Sequence, residues 1–353
     1  MVFGETLTKR ERMVLEAVIQ TYVQTAEPAG SRALSRRFGL GVSPATIRNT
    51  MSDLEEKGFL SHPHTSAGRV PTDKAYRAYV DQILSIAPID RSASADPLQT
   101  RLQQELSEGS TAIEEILRRA AQSLGVLTQE LGVAMGPRLD TVTLERLELV
   151  RITHGRLLVV ISLRGGVMRT VFVEVEGEIA DAALAEVTVV LNERLAGLTL
   201  REVRNSIGER LRDTGSGPGA SGLLNIFVEE GEQLFEAALT GGESSVVLGH
   251  PSVLAEQPEF SAAESMRRLL TLTEAPARLG EAIRRRDHAR GICITIGNEH
   301  DDPRLDQFTV VTAEYHIGSL NGVIGVIGPT RMPYDKVIAL VTHTSRLVTD
   351  LLD

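Results

Sequence analysis

The residues of this sequence best suited to recognition chemistry are an arginine and an asparagine that follow each other in one amphipathic segment. Arg48 can donate a fork of hydrogen bonds to guanine, and Asn49 can pair in a bidentate manner with adenine. Ser43 as an N-cap and Pro44 as the first helical residue predict that a helix begins here. Because a helix fits the major groove of B-DNA with its amino end closest to the bases, the pattern favours duplex DNA recognition.

Further polar residues around this helix have the chemistry to contact phosphate. The arginines of the preceding helix would follow the DNA backbone, and the loop after the helix would reach an adjacent groove or phosphate. The alternative is a small helical domain with a solvated charged face, since winged helices also dock proteins. The predicted DNA-binding residues are Arg32, Arg36, Arg37, Ser43, Thr46, Arg48, Asn49, His64, Thr65, Ser66 and Arg69.

A glycine-rich segment and a pair of histidines could each suggest a ligand site. In both cases a structural role is the simpler interpretation. Residues 217–222 fit the pattern G-x-G-x-x-G, but no strand precedes them and no Gly-Lys-Ser/Thr follows, so we expect a surface loop. His62 and His64 are spaced for metal chelation, yet no cysteine lies near them. We therefore expect no metal and no cofactor, and we interpret both histidines as wing residues.

The single cysteine, Cys293, lies between two isoleucines and is expected to be a buried small side chain. A catalytic set of Cys293, His300 and the Asp301-Asp302 pair can be imagined, but nothing in the sequence fixes a base beside the thiol. The sequence also lacks an elbow-type nucleophile and a phosphate loop. We therefore expect no enzymatic activity and no catalytic residue.

The elements that would position the predicted DNA-binding residues follow one another closely. Helical periodicity covers residues 8–25, starting from a capping box of Thr8 and Glu11, and a second helix covers about 31–38. The recognition helix follows at Pro44–Lys57, and two short strands with a turn-rich loop form a wing at Phe59–Val70. Another helix begins after Thr72. This order predicts a winged helix-turn-helix.

The rest of the chain combines helices with two separated sets of strand-like runs. The first set lies at 144–152, 156–163 and 167–175, and the second at 291–297, 308–315 and 322–328. The pattern between the two sets is largely helical. The simplest prediction is an α+β domain whose single sheet is split in sequence by a mostly helical insertion.

Composition agrees with a DNA-binding module attached to a different body. The chain has 353 residues, a net charge of −10 and 42% hydrophobic residues. The first 80 residues hold eleven Lys/Arg against eight Asp/Glu, while the remaining residues hold 26 basic and 39 acidic side chains. A basic segment favours a nucleic-acid partner. No apolar run approaches the length of a membrane span, and we expect a cytoplasmic protein.

The amino-terminal motifs resemble the family of heat-inducible transcription repressors HrcA. The resemblance covers Pro44–Glu55 and Thr65–Arg77, which are highly specific for that family. It also covers, with moderate specificity, Arg151–Gly155, Pro258–Phe260 and Gly328–Tyr334. It extends over the whole chain. No position within these motifs departs from the family pattern.

This resemblance implies a repressor of class I heat-shock operons, which encode chaperones and the chaperonin. It implies binding as a homodimer to an inverted-repeat operator in double-stranded DNA, with activity modulated by the chaperonin. The implied α+β multidomain architecture has a winged helix-turn-helix domain, a GAF-like α+β domain and an inserted dimerisation domain. The expected boundaries are 1–86 for the winged helix, 87–97 for a linker, 98–199 and 283–353 for the GAF-like domain, and 200–282 for the insertion.

A different function fits the same architecture. A GAF-like domain often holds small molecules, so the chain is alternatively a metabolite-responsive transcription regulator that senses a ligand through this domain. No clustered polar or ionisable set in 144–175 or 291–328 calls for a ligand. We therefore expect a filled structural core there.

Overall fold

The computed structural model describes residues 7–63, 68–86, 97–107, 113–137, 139–175, 179–212, 220–240, 246–286, 291–318 and 320–352. The pattern of contacts divides the chain into two compact units. The first unit comprises Met1–Ala134, Val247–Glu314 and Val323–Leu351. The second unit comprises Met135–Val246, Tyr315–Gly322 and Leu352–Asp353.

Four helices and a hairpin open the first unit and confirm the predicted order of elements. The predicted capping box begins the first helix, because Thr8 Oγ1 accepts from the Glu11 amide at 3.3 Å and the Glu11 carboxylate accepts from the Thr8 amide at 2.7 Å. The predicted linker lies outside the described residues, except for Pro97. The elements are α1 (Lys9–Thr25), α2 (Ser31–Phe38), α3 (Pro44–Glu56), β1 (Leu60–Ser61), β2 (Val70–Pro71) and α4 (Asp73–Ile86).

Gly68 lies where the wing meets the connection between α1 and α2. Ala29 and Arg69 form an isolated antiparallel bridge, with N···O distances of 2.9 and 3.0 Å. A Cβ on Gly68 would lie 2.2 Å from the carbonyl oxygen of Ala29. Because real Cβ atoms do not approach a backbone oxygen so closely, this pairing requires glycine.

Three further elements lie before the second unit. They are α5 (Pro97–Ser107), α6 (Ile113–Thr128) and β3 (Leu131–Met135). All five residues of β3 are buried, and the sequence analysis did not identify this strand. Gly132 explains the close packing there, since a Cβ at this position would lie 1.8 Å from the carbonyl oxygen of Ala121 in α6.

The second unit is built on a three-stranded antiparallel sheet in the order β4-β5-β6. Helix α7 contacts β4, and α9 contacts both α8 and β6. Asn192 of α7 binds the backbone of Leu147 in β4 through two hydrogen bonds of 2.8 Å. The elements are β4 (Leu144–Thr153), β5 (Arg156–Leu163), β6 (Met168–Glu174), α7 (Asp181–Leu195), α8 (Leu200–Arg212) and α9 (Ala220–Thr240).

The remaining elements complete a five-stranded sheet in the order β7-β3-β10-β9-β8. Strand β7, the neighbour of β3, follows the second unit in sequence. Thr309 and Thr312 of β9 are buried among the apolar residues of this sheet. The elements are β7 (Val246–Leu248), α10 (Ser252–Ala255), α11 (Ala263–Glu274), α12 (Pro276–Arg284), β8 (Ile292–Ile296), β9 (Phe308–Ile317), β10 (Leu320–Pro329) and α13 (Tyr334–Leu352).

The six predicted strands all exist, but the expectation that they share one sheet is wrong. Strands β4, β5 and β6 pair only with one another, and β8, β9 and β10 belong to the larger sheet. The larger sheet is also split in sequence, but its other strands are β3 and β7, which were not among the predicted strands. The observed division also differs from the predicted boundaries at 200 and 282, because α7, α8 and α9 pack together and α11 and α12 belong to the first unit.

Within the described ranges, no helix combines the length and the apolar character needed to cross a membrane. The GAF-like fold expected for residues 98–199 and 283–353 stays a prediction.

Replacing Gly68 with alanine tests whether the wing bridge supports the winged helix. We expect Gly68→Ala to lower the free energy of unfolding by about 1–3 kcal/mol, because the added methyl group overpacks against backbone. Gly30→Ala is the matched control, since its Cβ would meet nothing within 4 Å. Equal urea midpoints for the two variants would show that the bridge does not constrain the fold.

Candidate nucleic-acid interface

Helix α3 is anchored on one side and exposed on the other. Its apolar side packs against α1 and α2 through the buried residues Ile47, Met51 and Leu54. Its amino end is closed by Ser43, whose Oγ accepts a hydrogen bond from the Thr46 amide at 3.1 Å. The Ser43 and Thr46 side chains also bond to each other at 3.0 Å, so both predicted contact residues form the helix cap as well.

Arg48 and Asn49 lie on the exposed side of α3, as the sequence predicts. Both side chains are exposed, and neither makes a hydrogen bond or ion pair within the described residues. The donors of Arg48 and the amide of Asn49 are therefore available to an external partner. Such a pair can address guanine and adenine edges in a major groove.

The charge along the exposed side of α3 changes sign from the first turns to the last. Arg48 lies in the second turn, whereas Asp53 and Glu56 are exposed further along. A polyanion is attracted to the first part and repelled by the second. The amino-terminal half of α3 is thus the part suited to approach DNA.

The arginines of α2 occupy two different situations. Arg32 and Arg36 are exposed and have no partner within the described residues. Arg37 is exposed too, but it hydrogen-bonds to Gln24 and its guanidinium lies 5.4 Å from the ring centre of Phe38. Arg32 and Arg36 are therefore the better placed of the three to contact phosphate.

Arg69 is placed differently from the expectation that it contacts DNA. Its guanidinium pairs with Glu55 of α3 at 2.7 Å, and its side chain is only 15% exposed. Burial alone would raise the pKa of Glu55. The hydrogen bond to His62 (2.6 Å) and the charge of Arg69 outweigh burial, so the pKa of Glu55 is lowered overall. Arg69 thus joins the wing to α3. The other predicted wing contacts lie outside the described residues: His64, Thr65 and Ser66.

A second ion pair joins α1 to the end of α3. Lys57, the C-cap of α3, donates to the Glu11 carboxylate at 2.7 Å. This hydrogen bond, with that from the Thr8 amide, lowers the pKa of Glu11 to about 2. The sequence identified Glu11 as a capping residue, but nothing in it signalled the contact with Lys57, which is 46 residues away.

Helix α4 docks the winged helix onto the rest of the first unit. Tyr76 and Tyr334 are both buried, with ring centres 5.7 Å apart. Beside them, Arg77 donates from Nε to the Glu299 carboxylate at 2.7 Å and from Nη2 to the carbonyl of Ile294 at 2.7 Å. Asp73 accepts from the Asn298 amide at 3.0 Å.

Arg331 makes a second connection between α1 and the carboxyl-terminal part of the chain. Its Nη1 donates to the carbonyl of Val23 at 2.6 Å, and its Nη2 donates to Glu259 at 2.9 Å. The hydrogen bond and charge of Glu259 raise the pKa of Arg331 against the effect of burial. The sequence analysis noted Glu259 and Arg331 only as parts of motifs, without assigning them a contact.

In this geometry three helices are followed by a two-stranded hairpin, and the third helix presents an arginine and an asparagine outwards. A family model described as "HrcA protein C terminal domain" matches residues 114–338, more than half of the chain. A relative from Chlorobium phaeobacteroides (strain BS1), named "Heat-inducible transcription repressor HrcA", is 39% identical and covers 97% of both chains. A relative of the same name from Geobacter sulfurreducens is 35% identical over 98% of both chains. The chain belongs to the HrcA family.

A solved structure titled "Crystal structure of a hypothetical protein at 2.2 A resolution" is similar to this chain over its whole length. It covers 98% of this chain and 99% of its own, with a TM-score of 0.67 and 23% sequence identity. This likeness concerns the fold alone.

The pair of Glu11 and Lys57 predicts a specific dependence of stability on pH. Because the pKa of Glu11 is about 2 when folded and 4.5 ordinarily, the stabilisation is present above pH 4.5 and is lost as pH falls towards 2. We expect Glu11→Gln to cost about 1–2 kcal/mol at pH 7, allowing for solvent screening, and less at pH 3.

Urea unfolding between pH 3 and pH 7 measures this difference, with Glu16→Gln on the same helix as the control. A cost of Glu11→Gln that stays constant over this range would show that the carboxylate charge contributes nothing.

Proposed function

We propose that this protein represses heat-shock operons encoding chaperones and the chaperonin, by binding as a homodimer to an inverted-repeat operator in the cytoplasm. The observation that carries the proposal is the outward placement of Arg48 and Asn49 on a helix anchored by its opposite side. Membership of the HrcA family, whose relatives are named heat-inducible transcription repressors, supports the regulated process. No enzymatic step is part of the mechanism.

Repression on this proposal results from occupancy of the operator. Arg48 and Asn49 read base edges at the start of α3, and Arg32 and Arg36 contact phosphates. The phosphate contacts supply affinity that is independent of sequence and falls as salt rises. A two-fold operator requires two such helices, so the functional species is a dimer.

The exposed face of the sheet in the second unit supports a dimer contact. Across this face the register places Val150 opposite Leu158 and Leu158 opposite Phe172. Phe172 is 55% exposed, and Met168 and Ile152 are also largely exposed. Contiguous exposed apolar side chains of this kind mark interaction surfaces. We infer that a second copy of this chain covers the face, since the operator demands two copies.

The proposed dimer surface differs from the segment 200–282 that the sequence favoured. Deleting 200–282 would remove α8 and α9 from the second unit, and α10, α11 and most of α12 from the first. Single substitutions on the sheet face are therefore the sharper test.

The chaperonin dependence implied by the family resemblance stays a prediction. It predicts that purified chaperonin increases the fraction of this protein that binds operator DNA.

We further infer a GAF-like fold for the five-stranded sheet with its helices.

Arg48→Ala tests base recognition. We expect it to lose about 1–3 kcal/mol of affinity for operator DNA and to relax the preference at one base position, because a bidentate contact is removed.

Arg36→Ala tests phosphate contact. It should weaken binding to operator and scrambled DNA alike, and it should reduce the slope of log affinity against log salt concentration by about one.

Gel-shift titrations at several salt concentrations measure both effects, with Arg118→Ala, an exposed arginine of α6, as the control. Unchanged operator binding by Arg48→Ala would remove this residue from base recognition.

Phe172→Glu tests the proposed dimer surface. A buried charge at the centre of the contact should raise the dimer dissociation constant about 30-fold or more, as loss of a 2 kcal/mol hot spot would. Val189→Glu on α7 is the matched control, because Val189 is also 55% exposed and lies outside the sheet. Sedimentation measures the assembly state, and an unaltered dimer in the Phe172→Glu variant would place the contact elsewhere.

A further inference from the structure

A cleft of about 740 Å³ lies in the first unit, beside the end of α12 and strand β8. Its volume is in the range of small-molecule sites. It is distinct from the exposed side of α3, and the proposed function makes no use of it. Its lining includes Arg278, Ala282, Arg286, Cys293, Thr295 and His300.

Arg286 is the unusual group in this cleft. Its Nη1 donates to the carbonyl of Val310 at 3.3 Å and its Nη2 to Nδ1 of His300 at 2.9 Å. Burial lowers the pKa of Arg286 to about 10, so the guanidinium is still charged at neutral pH. Within the described residues it has no carboxylate partner. A partly desolvated charge without a counter-ion is costly, and an anion would offset that cost.

His300 positions this guanidinium without neutralising it. Its Nε2 lies 3.0 Å from the carbonyl of Phe308, so Nε2 carries the proton and Nδ1 accepts from Arg286. Burial, and then the charge of Arg286, lower the pKa of His300 to about 4. The ring is therefore neutral at physiological pH. This placement also leaves neither ring nitrogen free to act as a base for Cys293.

Most acidic groups that line the cleft are already paired with other arginines. Asp302 binds Arg304, with an Nε···Oδ1 distance of 2.9 Å. Glu299 accepts from Arg77 at 2.7 Å, and Glu281 pairs with Arg285 one helical turn away. The fourth, Asp301, is exposed, and its charge is screened by solvent. The charge of Arg286 therefore lacks compensation from the described part of the protein.

We propose that this cleft binds a small anion with a carboxylate or phosphate group, held in a two-point contact by Arg286. A guanidinium has five donors in a planar fork that matches these groups, and the protein uses two of them here. Cys293 and Thr295 are alternate residues of β8, so their side chains share one face of the strand and line the site. The hydroxyl of Thr295 supplies a further donor.

The lone thiol of the chain gives a direct readout of this site. Cys293 is the only cysteine and lines the cleft, so the rate of its alkylation by iodoacetamide reports occupancy. We expect inorganic phosphate or citrate to slow alkylation of the full-length protein about tenfold at ten times the dissociation constant, relative to chloride at equal ionic strength. Protection by only one of the two anions identifies the ligand class.

Arg286→Gln should abolish protection by both anions. Arg267→Gln, at an exposed arginine of α11 that does not line the cleft, should retain it. If Arg286→Gln does not fold, Arg286→Lys keeps the charge but loses the fork, and protection should then weaken markedly. Absence of protection in the natural chain, or equal protection in the folded Arg286 variant, overturns the proposal. Operator binding by Arg286→Gln is measured in parallel. A failure of the anion-site proposal can then be distinguished from a failure of the proposed DNA recognition.

Discussion

The buried contact between Tyr76 of α4 and Tyr334 at the start of α13 is the interaction on which the first unit depends. It fixes the end of the winged helix against the larger sheet, and the ion pair of Arg77 with Glu299 closes its edge. Arg331 adds a contact to the last turn of α1 through the carbonyl of Val23. Because these groups are buried or partly buried and hydrogen-bonded, the direction in which α3 presents Arg48 is determined by packing far from the exposed side of α3.

This contact gives a physical meaning to motifs that are distant in sequence. Tyr76 and Arg77 end the amino-terminal motif, Glu259 lies in the middle motif, and Arg331 and Tyr334 belong to the last. In the structure they meet around one docking surface. The motifs that contain Glu259 and Tyr334 are thus explained by the attachment of α4 to the rest of the first unit, whereas Arg151–Gly155 lies in the second unit and is not part of this surface.

The local features of the fold could be predicted from the sequence, whereas the long-range ones could not. Caps, apolar stripes and turn residues act over a few positions, which is why α1, α2, α3 and all six predicted strands were found. Sheet membership depends on pairing between distant parts of the chain, and β3 joins its sheet through Gly132, in a segment where the sequence analysis identified no strand. In the interface, exposure of Arg48 follows from helix periodicity. The engagement of Arg69 by Glu55 required the wing and helix to be placed in space.

The chain leaves the larger sheet after β3 and returns to it at β7, which is the neighbouring strand. Residues 136–245 are therefore an insertion between two neighbouring strands of this sheet. The hydrogen bonds of the sheet do not depend on the length of the insertion. Changes of length within it leave the strand register of that sheet unchanged. Changes in this part of the second unit can therefore accumulate without altering the exposed side of α3, which belongs to the first unit.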